Sequence, residues 1–141
     1  MLVWDCPNVI NDWVSVRGGG RAHADKCSAL GWVEESKLVA GLVFYDSNGA
    51  HCMVNIALEN KHFPIGLLKT GLEYVFSQLK LKRLTFTVSS SNIRSQSLCL
   101  KLGAIHEATL RDADLSGDVL IYALFPENCK IWSRINGKRK R

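Results

Sequence analysis

Residues 81–104 read LKRLTFTVSSSNIRSQSLCLKLGA, and this run decides the architecture. Leu81 to Val88 alternates and is rich in β-branched and aromatic residues, which predicts a strand. Ser89-Ser90-Ser91-Asn92 is a polar link into a helix. Ile93, Leu98, Leu100 and Leu102 mark that helix, and Gly103 ends it, since glycine tolerates the left-handed conformation after a last turn. Ala104 to Leu110 resumes as a strand.

Working outward, Val119 to Phe125 predicts the closing strand beyond a polar loop at Asp112 to Asp118, and a short helix covers Pro126 to Trp132. Upstream, Ser28 to Glu34, Lys37 to Tyr45 and Ala50 to Leu58 predict three strands. Asp46-Ser47-Asn48-Gly49 forms the hairpin turn between the last two, with Asn48-Gly49 supplying positive φ. Pro64 suits a first helical turn, and Leu67, Leu68, Leu72, Val75, Phe76 and Leu79 carry that helix to about Lys80. Val9, Ile10, Trp13 and Val14 have helical spacing behind Asn8 as a cap; the helix ends at Gly18-Gly19-Gly20, and residues 18–27 form a mobile loop. Hairpins make antiparallel neighbours and helical crossovers make parallel ones. The expected fold is α/β (α+β): a mixed, mostly antiparallel sheet of six to seven strands, flanked by helices, with one splayed parallel pair. The crevice beside Leu58 to Gly66 and Val88 to Ser95, at the carboxyl ends of that pair, is the default ligand site.

At 141 residues, the chain suits one domain, with enough core to fold without staples. Its 47% hydrophobic and 22% charged content excludes a largely disordered protein. No apolar run reaches the ~20 residues of a membrane span, and MLVWDCPN lacks the basic start of a signal peptide. The 5 cysteines are scattered, odd in number and without C-x-x-C, which reads as reduced thiols in the cytoplasm. The net charge of +5 belongs entirely to Arg134, Lys138, Arg139, Lys140 and Arg141. Residues 1–133 are therefore a neutral domain, and 134–141 a basic, disordered tail. That tail either contacts nucleic acid through phosphates, in a salt-sensitive way, or ends solvated.

Asn92, Ser95 and Gly103, set behind the strand that ends at Val88, have a spacing that resembles the Gcn5-related N-acetyltransferase (GNAT) superfamily. Ala104 replaces the usual Phe. Glu107-Ala108-Thr109-Leu110-Arg111 resembles the ribosomal-protein-acetylating branch, and Val119 to Trp132 resembles small members carried by bacteriophages and prophages, which would place the chain in a host cytoplasm. The match covers roughly residues 28–132. It implies acetyl-CoA as co-substrate and an amine acceptor whose identity, like the oligomeric state, has no readable signature. One stretch departs from the family: Lys61-His62-Phe63-Pro64-Ile65-Gly66 stands where a pyrophosphate loop of the form Q/R-x-x-G-x-G/A is usual. Such a loop holds phosphate oxygens on backbone N–H groups at a helix start. Pro64 removes one donor, leaving Ile65, Gly66, Leu67 and Leu68.

By the same resemblance, Ile56, Ala57 and Leu58 pair with the pantetheine arm and aim an amide at the thioester oxygen. Asn92 and Ser95 contact the cofactor near the thioester; Asn92 is also a favoured helix cap. Cys99 stands where relatives often place a tyrosine that protonates the departing thiolate, and a buried structural cysteine is its plainer reading. Tyr122 is a second candidate acid, with core packing as its alternative. Glu59 ends the central strand as candidate general base or as a solvated acid, with His51 and His62 as substitutes. No metal site is expected: His51 and Cys52, the best-placed of His23, Cys27, His51 and Cys52, are adjacent on a strand and face opposite sides. Arg17 to Arg21, with three glycines between, reads as a flexible loop near the acceptor or as a phosphate cradle without a strand–helix junction. The rival to an acetyltransferase is a nucleic-acid-binding, inhibitory or nucleic-acid-modifying protein on the same fold.

Overall fold

A computed structural model of the chain describes residues 1–19, 21–23 and 26–139. The six strands expected from the sequence form, and a two-residue seventh joins them at one edge. They are β1 (Leu2–Val3), β2 (Cys27–Glu34), β3 (Lys37–Tyr45), β4 (His51–Leu58), β5 (Arg83–Ser89), β6 (Ile105–Asp114) and β7 (Gly117–Leu124). They make one sheet in the order β1-β2-β3-β4-β5-β7-β6. Every neighbouring pair is antiparallel except β4 and β5, which the helical crossover makes parallel.

The helices are α1 (Pro7–Val14), α2 (Ile65–Leu72), α3 (Ile93–Leu102) and α4 (Lys130–Arg139). Alternation along the strands sorts them onto two faces. Leu42, Phe44, Val54, Ile56, Phe86 and Val88 point to one side and pack with Leu67, Leu68 and Leu72 of α2, Cys99 and Leu102 of α3, and Trp132 of α4. Ala29, Val43 and Ala57 point to the other side and meet Ile10 and Val14 of α1. Ile10 and Val14 are fully buried, and burial of such a side chain contributes about 1.5–3 kcal/mol.

Several local expectations are corrected. Asn8 does not cap α1: Pro7 takes the first turn, whose missing N–H costs nothing there, and Asn8 falls inside the helix. The chain then widens into a π-type turn over Ser15–Gly19; Gly20, Ala24 and Asp25 of the expected loop lie outside the described residues. In the β3–β4 turn, positive φ falls on Asp46 (52°) and Gly49 (88°) rather than on Asn48. Asn48 instead accepts the amides of Ala50 and His51 through its side chain, each at 3.0 Å. β6 runs past Leu110 to Asp114, because Asp118 Oδ1 accepts the Asp112 amide at 3.0 Å and draws the expected loop into the hairpin. α4 continues to Arg139, beyond the end expected at Trp132, with Ile135 packed on the core, so most of the basic run is helical. Lys140 and Arg141 lie outside the described residues.

Candidate functional site

The parallel pair is where the sheet opens. β4 and β5 are in register from His51 opposite Arg83 to Val54 opposite Phe86, and no further. Their outer edges stay paired: β3 holds β4 as far as Leu58, and β7 holds β5 as far as Ser89. The inner edges therefore part while both strands remain rigid. The Glu59 amide donates to the Val39 carbonyl on the β3 side at 2.9 Å. In an antiparallel pair the direction of main-chain groups alternates, so Ala57 also bonds toward β3, and Ile56 and Leu58 turn theirs into the gap.

The gap opens into a cavity of about 610 Å³ lined by Ile56, Ala57, Leu58 and Glu59 on one wall and Ser89, Ser91, Asn92 and Ser95 on the other, with Arg17, Arg94, Leu98, Asp114 and Ser116 around it. A narrow extension of about 10 Å³ runs below it between Val54, Ile56, Phe86 and Cys99. Asn92 lines both spaces, and its Oδ1 accepts the Ser95 amide at 3.2 Å, capping α3. Gln96 Nε2 donates to the Ser89 and Ser90 carbonyls at 3.2 and 3.0 Å, which ties the helix to the end of β5.

The two faces of the sheet supply different charges to this cavity. On the α1 face, Arg17 Nη2 pairs with Glu59 Oε1 at 3.2 Å, while the guanidinium lies 3.9 Å from the centre of the Trp13 ring. An exposed pair of this kind contributes at most about 1 kcal/mol; its effect is to hold Glu59 at the cavity mouth. Also on that face, Asp114 Oδ2 accepts the hydroxyls of Ser89 at 2.9 Å and Ser116, and Ser91 lies within 2.9 Å of the Ser89 hydroxyl. The Ser116 and Ser89 hydroxyls, in that order, hold the Asp114 carboxyl below the usual carboxylate range. On the α3 face stands Arg94, whose Nη1 donates to the Glu59 carbonyl at 3.5 Å.

The site residues expected from the sequence separate into three groups. Ile56, Ala57, Leu58, Glu59, Asn92 and Ser95 meet around the cavity. Cys99 is fully buried at the floor of the extension, and burial pushes its thiol up to about 12. Such a thiol yields its proton less readily than an ordinary one near 8.5, so the residue suits packing better than proton donation. Tyr122 lines neither space; it packs beside the His106 ring at 5.4 Å, and burial raises its hydroxyl.

Ile65, Gly66 and Leu67 are not brought to the cavity lining either. The Leu67 and Leu68 amides both donate to the Pro64 carbonyl, at 3.1 and 3.2 Å, so these two expected donors are already used. A Cβ at Gly66 would stand 2.9 Å from two atoms of the Trp32 ring, so the glycine serves the packing of α2 on β2. His51 bonds Thr85 Oγ1 at 3.1 Å at the opposite end of β4. His62 sits exposed in the β4–α2 connection.

Sequence reading missed Arg94, Asp114 and Ser116. For Asp114 and Ser116 the signal is a register one: the β6–β7 hairpin brings residues 114–116 alongside the end of β5, which only the strand pairing reveals; Arg94 is set by its place in the first turn of α3.

No protein-family model and no curated protein matches the chain. Solved structures do. An IAA acetyltransferase from Bacillus cereus superposes with a TM-score of 0.69 at 12% identity, over 89% of this chain and 98% of that one. A spermidine N-acetyltransferase variant from Vibrio cholerae gives 0.69 at 15% identity, over 95% and 98%. A GNAT family acetyltransferase from Elizabethkingia anophelis, solved with acetyl-CoA bound, gives 0.58 at 14%, over 72% and 77%. The fold is that of the GNAT acetyltransferases. Within this fold the β4–β5 pair splays, Asn92 caps α3, and Gly66 at the start of α2 packs against Trp32. Among the described residues no helix is long and apolar enough to cross a membrane.

Proposed function

We propose that this chain is an N-acetyltransferase that moves an acetyl group from acetyl-CoA to a primary amine by direct attack in a ternary complex. The observation that carries the reading is the gap between β4 and β5, held open by full pairing on both outer edges, with the main-chain groups of Ile56 and Leu58 turned into it. An extended pantetheine arm fits such a strand edge, since it offers amide groups to unpaired backbone. Asn92 and Ser95 face the arm from the other wall.

An acetyl thioester in the gap places its carbonyl oxygen against an Ile56 or Leu58 N–H. A preorganised amide aimed at the developing oxyanion is worth about 3–4 kcal/mol of barrier. The amine enters from the α1 face, where the ionised Asp114 attracts an ammonium. Glu59 takes the proton from the nitrogen through a water molecule. The N–C bond forms, the C–S bond breaks, and the thiolate collects a proton from solvent at the open mouth, since neither Cys99 nor Tyr122 is suited to give one. Holding both substrates together supplies much of the remaining acceleration.

Calorimetric titration with acetyl-CoA, followed by an acetylation assay over a panel of monoamines, diamines, amino acids and peptide amino termini, tests this. Saturable heat and product with at least one amine are expected. No heat and no thermal shift at millimolar acetyl-CoA rejects it. In that case, nucleic-acid binding that collapses with salt and on removal of residues 134–141 would favour the rival reading, for which the basic run along α4 is the supporting feature.

A further inference from the structure

The start of α2 is short of donors. Pro64 has no N–H, and the Leu67 and Leu68 amides bond the Pro64 carbonyl, which leaves those of Ile65 and Gly66. Nothing from that segment lines the cavity. Two neutral amides do not balance the charge of a pyrophosphate, so a cation at the same mouth gains importance.

Two arginines reach the cavity, and they differ in what they already hold. Arg17 is occupied by the Glu59 carboxylate, the Trp13 carbonyl and the Trp13 ring. Arg94 makes, among the described residues, one long hydrogen bond of 3.5 Å to the Glu59 carbonyl and no ion pair. That carbonyl belongs to the first residue after β4, so the guanidinium stands at the entrance where the missing loop would have worked. Arg94 also lies in the first turn of α3, which contains no acidic residue. A cation there opposes the helix dipole, and an anion seated on it would remove that penalty. A guanidinium meets a phosphate with two parallel N–H groups, a geometry an ammonium cannot match.

We propose that Arg94 is the phosphate clamp of this protein, taking the pyrophosphate of coenzyme A in place of the backbone loop at α2. The inference rests on the acetyl-CoA reading above and adds to it where the anionic end of the ligand is held. It also divides the cavity by charge, with a cation on the α3 face for the coenzyme and Asp114 on the α1 face for the amine.

The test compares two ligands that differ in phosphate. Acetyl-CoA and S-acetylpantetheine, which has none, are titrated by ligand-observed NMR against the full chain and against Arg94→Gln, Arg94→Lys and Lys61→Gln. Arg94→Gln is expected to weaken acetyl-CoA roughly 10- to 100-fold, the usual loss for a charge-assisted contact. S-acetylpantetheine should stay within about twofold of the original chain, as expected for contacts distant from the change. Arg94→Lys should recover part of the loss, and Lys61→Gln should change neither ligand. Equal weakening of both ligands, no weakening of either, or a loss on Lys61→Gln instead overturns the clamp. If the unaltered chain binds neither ligand, the acetyltransferase reading falls and the clamp with it; if it binds both and the ratio ignores Arg94, the clamp alone falls.

Discussion

The two faces of the cavity are built from the same strand ends yet carry opposite chemistry. Toward α3 the wall is Asn92, Ser95 and Leu98 with one under-used cation, Arg94. Toward α1 it is a neutralised pair, Arg17 with Glu59, and an ionised Asp114 gripped by serine hydroxyls. Side chains alternate along a strand, so neighbours such as Leu58 and Glu59, or Val88 and Ser89, serve different compartments. A splayed pair thereby presents a cation on one side and a carboxylate on the other with no dividing wall.

That contrast is broken if a change on one face alters the ligand of the other. The largest effect is expected at Glu59, where Glu59→Gln should lower kcat by about 10²- to 10⁴-fold, the usual worth of a general base. Acetyl-CoA affinity by calorimetry should stay put; a parallel loss of affinity would mean that Glu59 belongs to the coenzyme side.

Asp114→Asn comes next. Loss of one charge-assisted contact should raise the KM for the amine roughly tenfold, fading as salt rises, with acetyl-CoA binding unaltered. A KM that ignores both the substitution and the salt would leave the α1 face without its proposed role.

At the junction of the faces, Asn92→Ala removes the cap on α3 and should cost about 1 kcal/mol in chemical denaturation. Acetyl-CoA affinity that falls further than stability would show a ligand contact beyond the cap.

The smallest effect is in pH. The folded-state carboxyls of Asp114 and Glu107 titrate below their ordinary values, through the Ser116 and Arg83 hydrogen bonds respectively. A depressed carboxyl adds stability above its unfolded value and loses it as pH falls through the folded one. The unfolding midpoint should therefore drop below about pH 4, and Asp114→Asn should shallow that acid limb without touching the alkaline one. An identical acid limb in the variant would show that the serine grip has no energetic consequence.

Much of this was open to reading before any coordinates. The β4 and β5 patterns, the Asn92 cap and Gly103, whose φ of 98° confirms the left-handed end of α3, are local in origin. Leu58 and Glu59 could be placed at the crevice because a parallel pair opens at its carboxyl ends, and Ile56 through the family resemblance. Local pattern did not choose where a residue type had two uses. Gly66 fits a phosphate loop and also packs on Trp32, thirty-odd positions away, and Cys99 fits a tyrosine's place while its plainer reading, a buried cysteine, matches its position sealed in the core.

What the amino-acid order determined by itself is the list of elements and their caps, since periodicity, glycine and proline act over a few residues. Tertiary structure alone decided where β4 and β5 stop pairing and that Arg17, Glu59, Arg94 and Asp114 share one cavity. Those four come from four separate segments, and their meeting depends on strand register, which arises from the packing of the whole sheet rather than from any one stretch of chain.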